Sequence, residues 1–173
     1  SQPEWEVALG RLGHAIAEHP EGFTEKPYHS MDWYYPILGG AVRGPAATAR
    51  ITRRWDDFVV DGLGIRCVSD RPWVTGAETC ELVLALDAMG DRRRATEQFS
   101  AMQHLRESDG SYWTGLVFAD GKRWPVERTT WTGAAVILAA DALSSTTGGS
   151  GIFRGAELPR GLEADYDCEC VRN

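Results

Sequence analysis

The stretch "DRPWVTGAETCELVLALDAMG", residues 70 to 90, sets Glu78 one turn into a segment that is otherwise apolar on nearly every side. A carboxylate held where little water reaches it is chemically useful, because desolvation favours the neutral acid that a proton donor must be. Leu82, Ala85 and Met89 continue from Glu78 along one helical stripe, and Glu81, three residues deeper, is the weaker candidate of the two. A structural role fits the same spacing: Thr75 and Glu78 match a capping box, and a carboxylate in a first turn suits the helix dipole. Two other acids compete with Glu78. Glu127 stands beside Arg128, which suggests an ion pair, and Asp32 precedes an aromatic run that it could cap. Paired carboxyl groups are what glycoside hydrolysis commonly uses, one to protonate the leaving oxygen and one to activate water or attack the anomeric carbon.

Aromatic residues surround these acids in the sequence. "MDWYYP", "RPWV" and "KRWPVERTTW" bring Trp33, Tyr34, Tyr35, Trp73, Trp124 and Trp131 next to Asp, Glu or Arg. Apolar CH faces of a sugar stack on such rings while polar groups take the hydroxyls, so these six are the expected substrate-binding residues. Any one of them alone would read as an ordinary core or loop-anchoring aromatic. Their recurrence before successive helices is what points to a site.

The elements that must position these residues follow from periodicity. Trp5, Leu9, Leu12 and Ile16 have helical spacing and Pro20 closes the segment, giving an amphipathic helix over residues 4–19. "FTEKPYHSMDWYYP" reads as a loop, and the small-residue run "ILGGAVRG" as a short inner segment near 36–43. Ala47, Ile51, Trp55 and Phe58 mark a second amphipathic helix ending near Val59, and "DGLGIRCVSDRP" a turn with a short extended piece. Residues 75–89 form a helix buried almost all round, 91–108 an amphipathic one, and "DGSYWTGLVFADGKRWP" a long loop. Residues 130–143 make another nearly all-apolar helix. Thr75, Gly76 and Ala77 align with Thr132, Gly133 and Ala134, which suggests a helical-hairpin repeat of 57 residues.

A helix buried all round needs protein on every side, and an amphipathic partner supplies an outer layer. The expected fold is therefore all-α, an (α/α)6 toroid, with this chain supplying about half of the helical hairpins because only three inner segments are visible. Residues 1–143 would be that half-barrel. Residues 144–173, Gly/Ser-rich and then acidic, would be a flexible or surface-wrapping tail.

Composition narrows the partners. With 43% hydrophobic residues and seven Trp the chain can bury a core, while a formal net charge of −7 argues against a face that neutralises nucleic-acid phosphates. No apolar run approaches the roughly 20 residues of a membrane helix and no signal peptide is visible, so a cytoplasmic protein without membrane contact is expected. Cys67 and Cys80 read as buried free thiols, and "CEC", Cys168 and Cys170, is a weak metal pattern. No metal or cofactor is expected.

The blocks "MDWYYPILGGAVRG", "GIRCVSDRPWVTGAETCELVLAL" and "DGSYWTGLVFADGKRWPVERTTWTGAAVILAADAL" resemble the C-terminal half of an actinobacterial family of α/α-toroid proteins labelled prenyltransferase-like. That family includes mycobacterial methylmannose polysaccharide hydrolases, and the resemblance spans residues 1–143. It implies a glycoside hydrolase that cleaves α-1,4-linked, 3-O-methylated mannose chains inside the cell. By the same resemblance Glu78 matches a catalytic carboxylate, and the second acid belongs to an N-terminal half of the same gene product, possibly a separate chain. Phe99, Gln103, Gly110 and Trp113 approximate the Gln-to-Trp clamp of terpene cyclases and protein prenyltransferase β-subunits, a structural feature. Isoprenoid chemistry needs clustered metal-binding acids, whereas Asp56 and Asp57 of "WDDF" are only two. It remains one alternative; a non-catalytic carbohydrate-binding toroid, with Glu78 as a cap, is the other.

Overall fold

The computed structural model describes residues 2–155, so Cys168, Cys170 and most of the acidic tail lie outside the described residues. Seven α-helices run in chain order among them: α1 (Pro3–Glu18), α2 (Ser30–Leu38), α3 (Gly44–Arg53), α4 (Trp55–Phe58), α5 (Gly76–Ala88), α6 (Arg92–Ala101) and α7 (Thr130–Ser144). Five short strands join them: β1 (Val59–Val60), β2 (Gly64–Arg66), β3 (Trp73–Thr75), β4 (Gly115–Val117) and β5 (Lys122–Arg123).

Helices α2, α5 and α7 run in the same direction. Near their N-terminal ends, the Ser30 amide donates to the Cys67 carbonyl, the Cys67 thiol meets Glu78, and a Cβ on Gly76 would lie 2.9 Å from Thr132 Cγ2. At the far ends, Arg154 joins the Asp87 carboxylate of α5 to the Ala142 carbonyl of α7, while Arg43 donates to the carbonyls of Ile37 and Phe153. Helix α6 returns antiparallel to α5, since Arg92 at its start binds Asp87 and Met102 just past its end approaches Gly76. The core fills the space between these helices with Ile37, Leu82, Val83, Leu86, Met102 and Leu105, all fully buried. Burying a side chain of this kind contributes roughly 1.5–3 kcal/mol, which makes this the main favourable term.

The all-α toroid expected from the sequence is not what the chain forms. Segments 59–75 and 115–123, read as turns, an extended piece and a loop, pair into one antiparallel sheet in the order β1-β2-β3-β4-β5. Backbone amides in these segments needed partners, and the ladder supplies them: Ile65 pairs with Thr75 and Val74 with Leu116. Gly115 makes the β3–β4 approach possible. A Cβ there would lie 2.5 Å from Trp73 Nε1 and 2.6 Å from the Val74 carbonyl oxygen. Strand β3 runs straight into α5, so the sheet caps the end of the helix layer that carries Glu78.

Helix boundaries differ from expectation for local reasons. "SMDWYYPIL" is helical despite Pro36, which has no N–H to donate to the Asp32 carbonyl four residues back. Arg50 replaces it, donating from Nη2 to that carbonyl at 2.6 Å and from Nε to the Trp33 carbonyl at 2.8 Å. The helix expected to reach Val59 breaks at Arg54 into α3 and α4, and the one expected over 91–108 ends at Ala101, followed by a 3-10 turn. The proposed repeat is one turn out of phase. Thr75 precedes the first residue of α5, whereas Thr132 lies inside α7, whose cap is Thr129 Oγ1 accepting from the Thr132 amide. Beyond α7, residues 145–155 fold back, and Arg154 ties them to α5 through Asp87 at 2.7 Å.

Candidate active site

Glu78 and Glu81 lie one turn apart on α5, half-buried and facing α2 and the segment after β2. The capping box is not formed. Thr75 Oγ1 makes no cap hydrogen bond and is buried without a partner, while the Glu78 carboxylate accepts from the Cys67 thiol at 3.6 Å. A thiol is a weak donor, which leaves the carboxylate close to free for other work. Glu81 is held more firmly: Tyr34 Oη donates to Oε2 at 2.5 Å, and Tyr35 Oη to Oε1 at 3.5 Å.

The electrostatics of this cluster follow from its burial. Burial pushes the Glu81 carboxyl above its ordinary range; the Tyr34 hydrogen bond pulls it back, and the neighbouring Glu78 charge pushes it up again. Burial, with Glu81 next, raises Tyr34 well above the usual tyrosine value and Tyr35 to about 12. The Cys67 thiol is pushed up to about 12 by burial and by Glu78, and Cys80, also buried, moves in the same direction. Both thiols are free and stay protonated at neutral pH.

One consequence is measurable in the folded chain. Glu81 binds its proton more tightly folded than unfolded, so its contribution to stability is full below the ordinary value of 4.5 and is lost as pH rises through the raised folded value. In denaturant titrations, wild type is expected to gain stability relative to Glu81→Gln as pH falls from about 7 to about 5. A difference that stays flat, or that shrinks on acidification, refutes this account of Glu81.

The other sequence candidates are scattered. Asp32 sits in the first turn of α2 and lines a shallow cleft with Glu25, Arg50, Arg53 and Arg54. Glu127 is exposed, and Arg128 pairs with Asp109 at 2.9 Å instead. Trp33 and Tyr34 are fully buried: Trp33 stacks on Phe58 with centroids 5.2 Å apart and donates from Nε1 to the Arg50 carbonyl. Their faces are covered by the chain's own core, so among the described residues no ring face of either is open to a sugar. Tyr35, Trp124 and Trp131 are 44%, 56% and 61% exposed. Trp73 is half-buried edge-on to Trp124 at 4.8 Å and donates to the Trp124 carbonyl at 2.7 Å. Trp131 lies next to Thr132, which meets Gly76 at the start of α5. The available aromatic surface therefore stands at the same end of the helix layer as Glu78.

Other motifs are structural. Gln103 donates to the Phe99 carbonyl and accepts from Tyr112 Oη, while Trp113 Nε1 donates to Glu107, so the Gln-to-Trp segment ties α6 to the following loop. Asp57 pairs with Arg54 on the surface of α4.

The sequence is 79% identical over 170 residues, 98% of this chain, to the MMP endo-(1,4)-3-O-methyl-alpha-D-mannosidase of Mycolicibacterium hassiacum. The chain is similar to this mannosidase along nearly its whole length. The likeness to methylmannose polysaccharide hydrolases carried by the three sequence blocks is borne out by that match. The chain spans 47% of the mannosidase's own length. No family model matches it. No helix among the described residues is long and apolar enough to cross a membrane.

Proposed function

We propose that this chain is the C-terminal half of a glycoside hydrolase that makes endo cuts in α-1,4-linked 3-O-methylmannose polysaccharide inside the cell. The observation that carries the reading is the Glu78 carboxylate. It stands at the sheet-capped end of α5 with only a thiol as partner, in a chain 79% identical to a named endo-mannosidase. In this reading Glu78 exchanges a proton with the glycosidic oxygen. Glu81, held by the Tyr34 and Tyr35 hydroxyls, places a second, half-buried carboxyl group one turn away. Tyr35, Trp124 and Trp131 offer open faces for sugar rings, and Trp73 braces Trp124. The second catalytic carboxyl comes from the part of the relative's length that this chain does not span.

The test is digestion of 3-O-methylmannose oligosaccharides by the full-length protein carrying this segment, with products read by mass spectrometry. Internal fragments of intermediate length support the proposal. Release of single sugars only, or binding without cleavage, overturns it, the latter in favour of a carbohydrate-binding module.

A further inference from the structure

Helix α7 is apolar on two faces, and among the described residues the chain covers only one of them. Thr132, Ala135, Val136, Ala139 and Ala142 are buried toward α5 and α6. On the opposite side Ile137 is 70% and Leu138 47% exposed, with Ala134 also open and Trp131 continuing the stripe at the N-terminal end. No charged residue occurs in α7 before Asp141. Helix α6, packed beside it, is solvated in the usual way: its exposed residues are Arg92, Arg93, Thr96, Glu97 and Ser100, with Arg93 and Glu97 paired at 2.6 Å. An uncharged apolar stripe beside so polar a helix is a contact surface. The open side of α1, with Trp5, Leu9 and Leu12 exposed, has the same character, and α1 contains no buried residue.

The geometry points to an occupant: the stripe of Ala134, Ile137 and Leu138 on α7 is the seam on which the other half of the longer polypeptide packs. This rests on the reading that the chain is part of a longer protein, and is independent of whether that protein hydrolyses glycans. The M. hassiacum relative aligns with 98% of this chain, α7 included, and has about as much polypeptide again outside the aligned segment. That polypeptide is linked to the stripe within one molecule, so its effective concentration exceeds that of any second copy.

The experiment is site-specific photocrosslinking in the full-length M. hassiacum protein, with p-benzoylphenylalanine placed at the position aligned with Ile137. The position aligned with Thr96 on α6 serves as the control. Crosslinked peptides are read by mass spectrometry, and glycan cleavage is assayed in parallel so that failure of the hydrolase reading is seen separately. A crosslink within one molecule, from the Ile137 position to a peptide outside the aligned segment and absent at the Thr96 position, supports the seam. A dimer at twice the mass, a crosslink confined to the aligned segment, or recovery of the probe without reaction overturns it.

Discussion

Replacing Glu78 by Gln in the full-length protein is expected to lower kcat by about 100- to 10,000-fold, the usual contribution of a positioned proton donor. Binding of the oligosaccharide and the midpoint of unfolding are expected to stay unchanged. The structure explains why the fold tolerates the change. Glu78 accepts one weak hydrogen bond from Cys67 and caps nothing, and the Gln side chain keeps its shape and an acceptor oxygen. Stability should therefore move by less than about 0.5 kcal/mol. Steady-state kinetics beside a binding isotherm separate the readings: a carbohydrate-binding module keeps its affinity and has no turnover to lose. Should Glu78→Gln retain full activity while Glu81→Gln loses it, the proton donor is the deeper carboxylate and the assignment is wrong.

Much of the helical layer was legible because long apolar repeats leave few alternatives. The pattern over 75–89 and 130–143 gave α5 and α7 to within a residue or two. The sheet was not legible, because strands of two or three residues show no period-two alternation. Its pairing of Val74 with Leu116 joins segments far apart in sequence. Helix α2 was hidden by Pro36, which ordinarily ends a helix, and the compensating Arg50 comes from another helix, beyond the reach of local rules. The site was half legible. Glu78 and Glu81 share a stripe that spacing alone reveals, but the Tyr34 hydroxyl on Glu81 crosses 47 residues of chain. Cys67, read only as a buried thiol, turned out to face Glu78. The second exposed face of α7 could not be foreseen, since an all-apolar helix carries no mark of which side its own chain will cover.

The six aromatics proposed for sugar binding divide by burial, and Trp33→Ala measures that division. Trp33 has its ring stacked on Phe58, edge-on to Trp55 and Tyr34, and its indole N–H bonded to the Arg50 carbonyl. Removing it empties the space between α2, α3 and α4 and orphans the Arg50 carbonyl, so a loss of about 3–5 kcal/mol is expected. In the isolated chain that is a large share of the roughly 5–15 kcal/mol by which domains are stable, and the denaturation midpoint should fall steeply. Trp131→Ala is the natural comparison, because an exposed ring can be truncated with little change in folding and yet remove a stacking surface. It should leave the midpoint nearly unmoved and raise KM in the full-length protein. A Trp131→Ala variant that lowers the denaturation midpoint of the full-length protein and leaves KM unchanged would mean that the ring at the start of α7, exposed in this chain, is covered in the intact molecule. The seam on α7 would then run up to the end of the helix where Glu78 stands, and Trp131 would belong to that interface and not to the substrate.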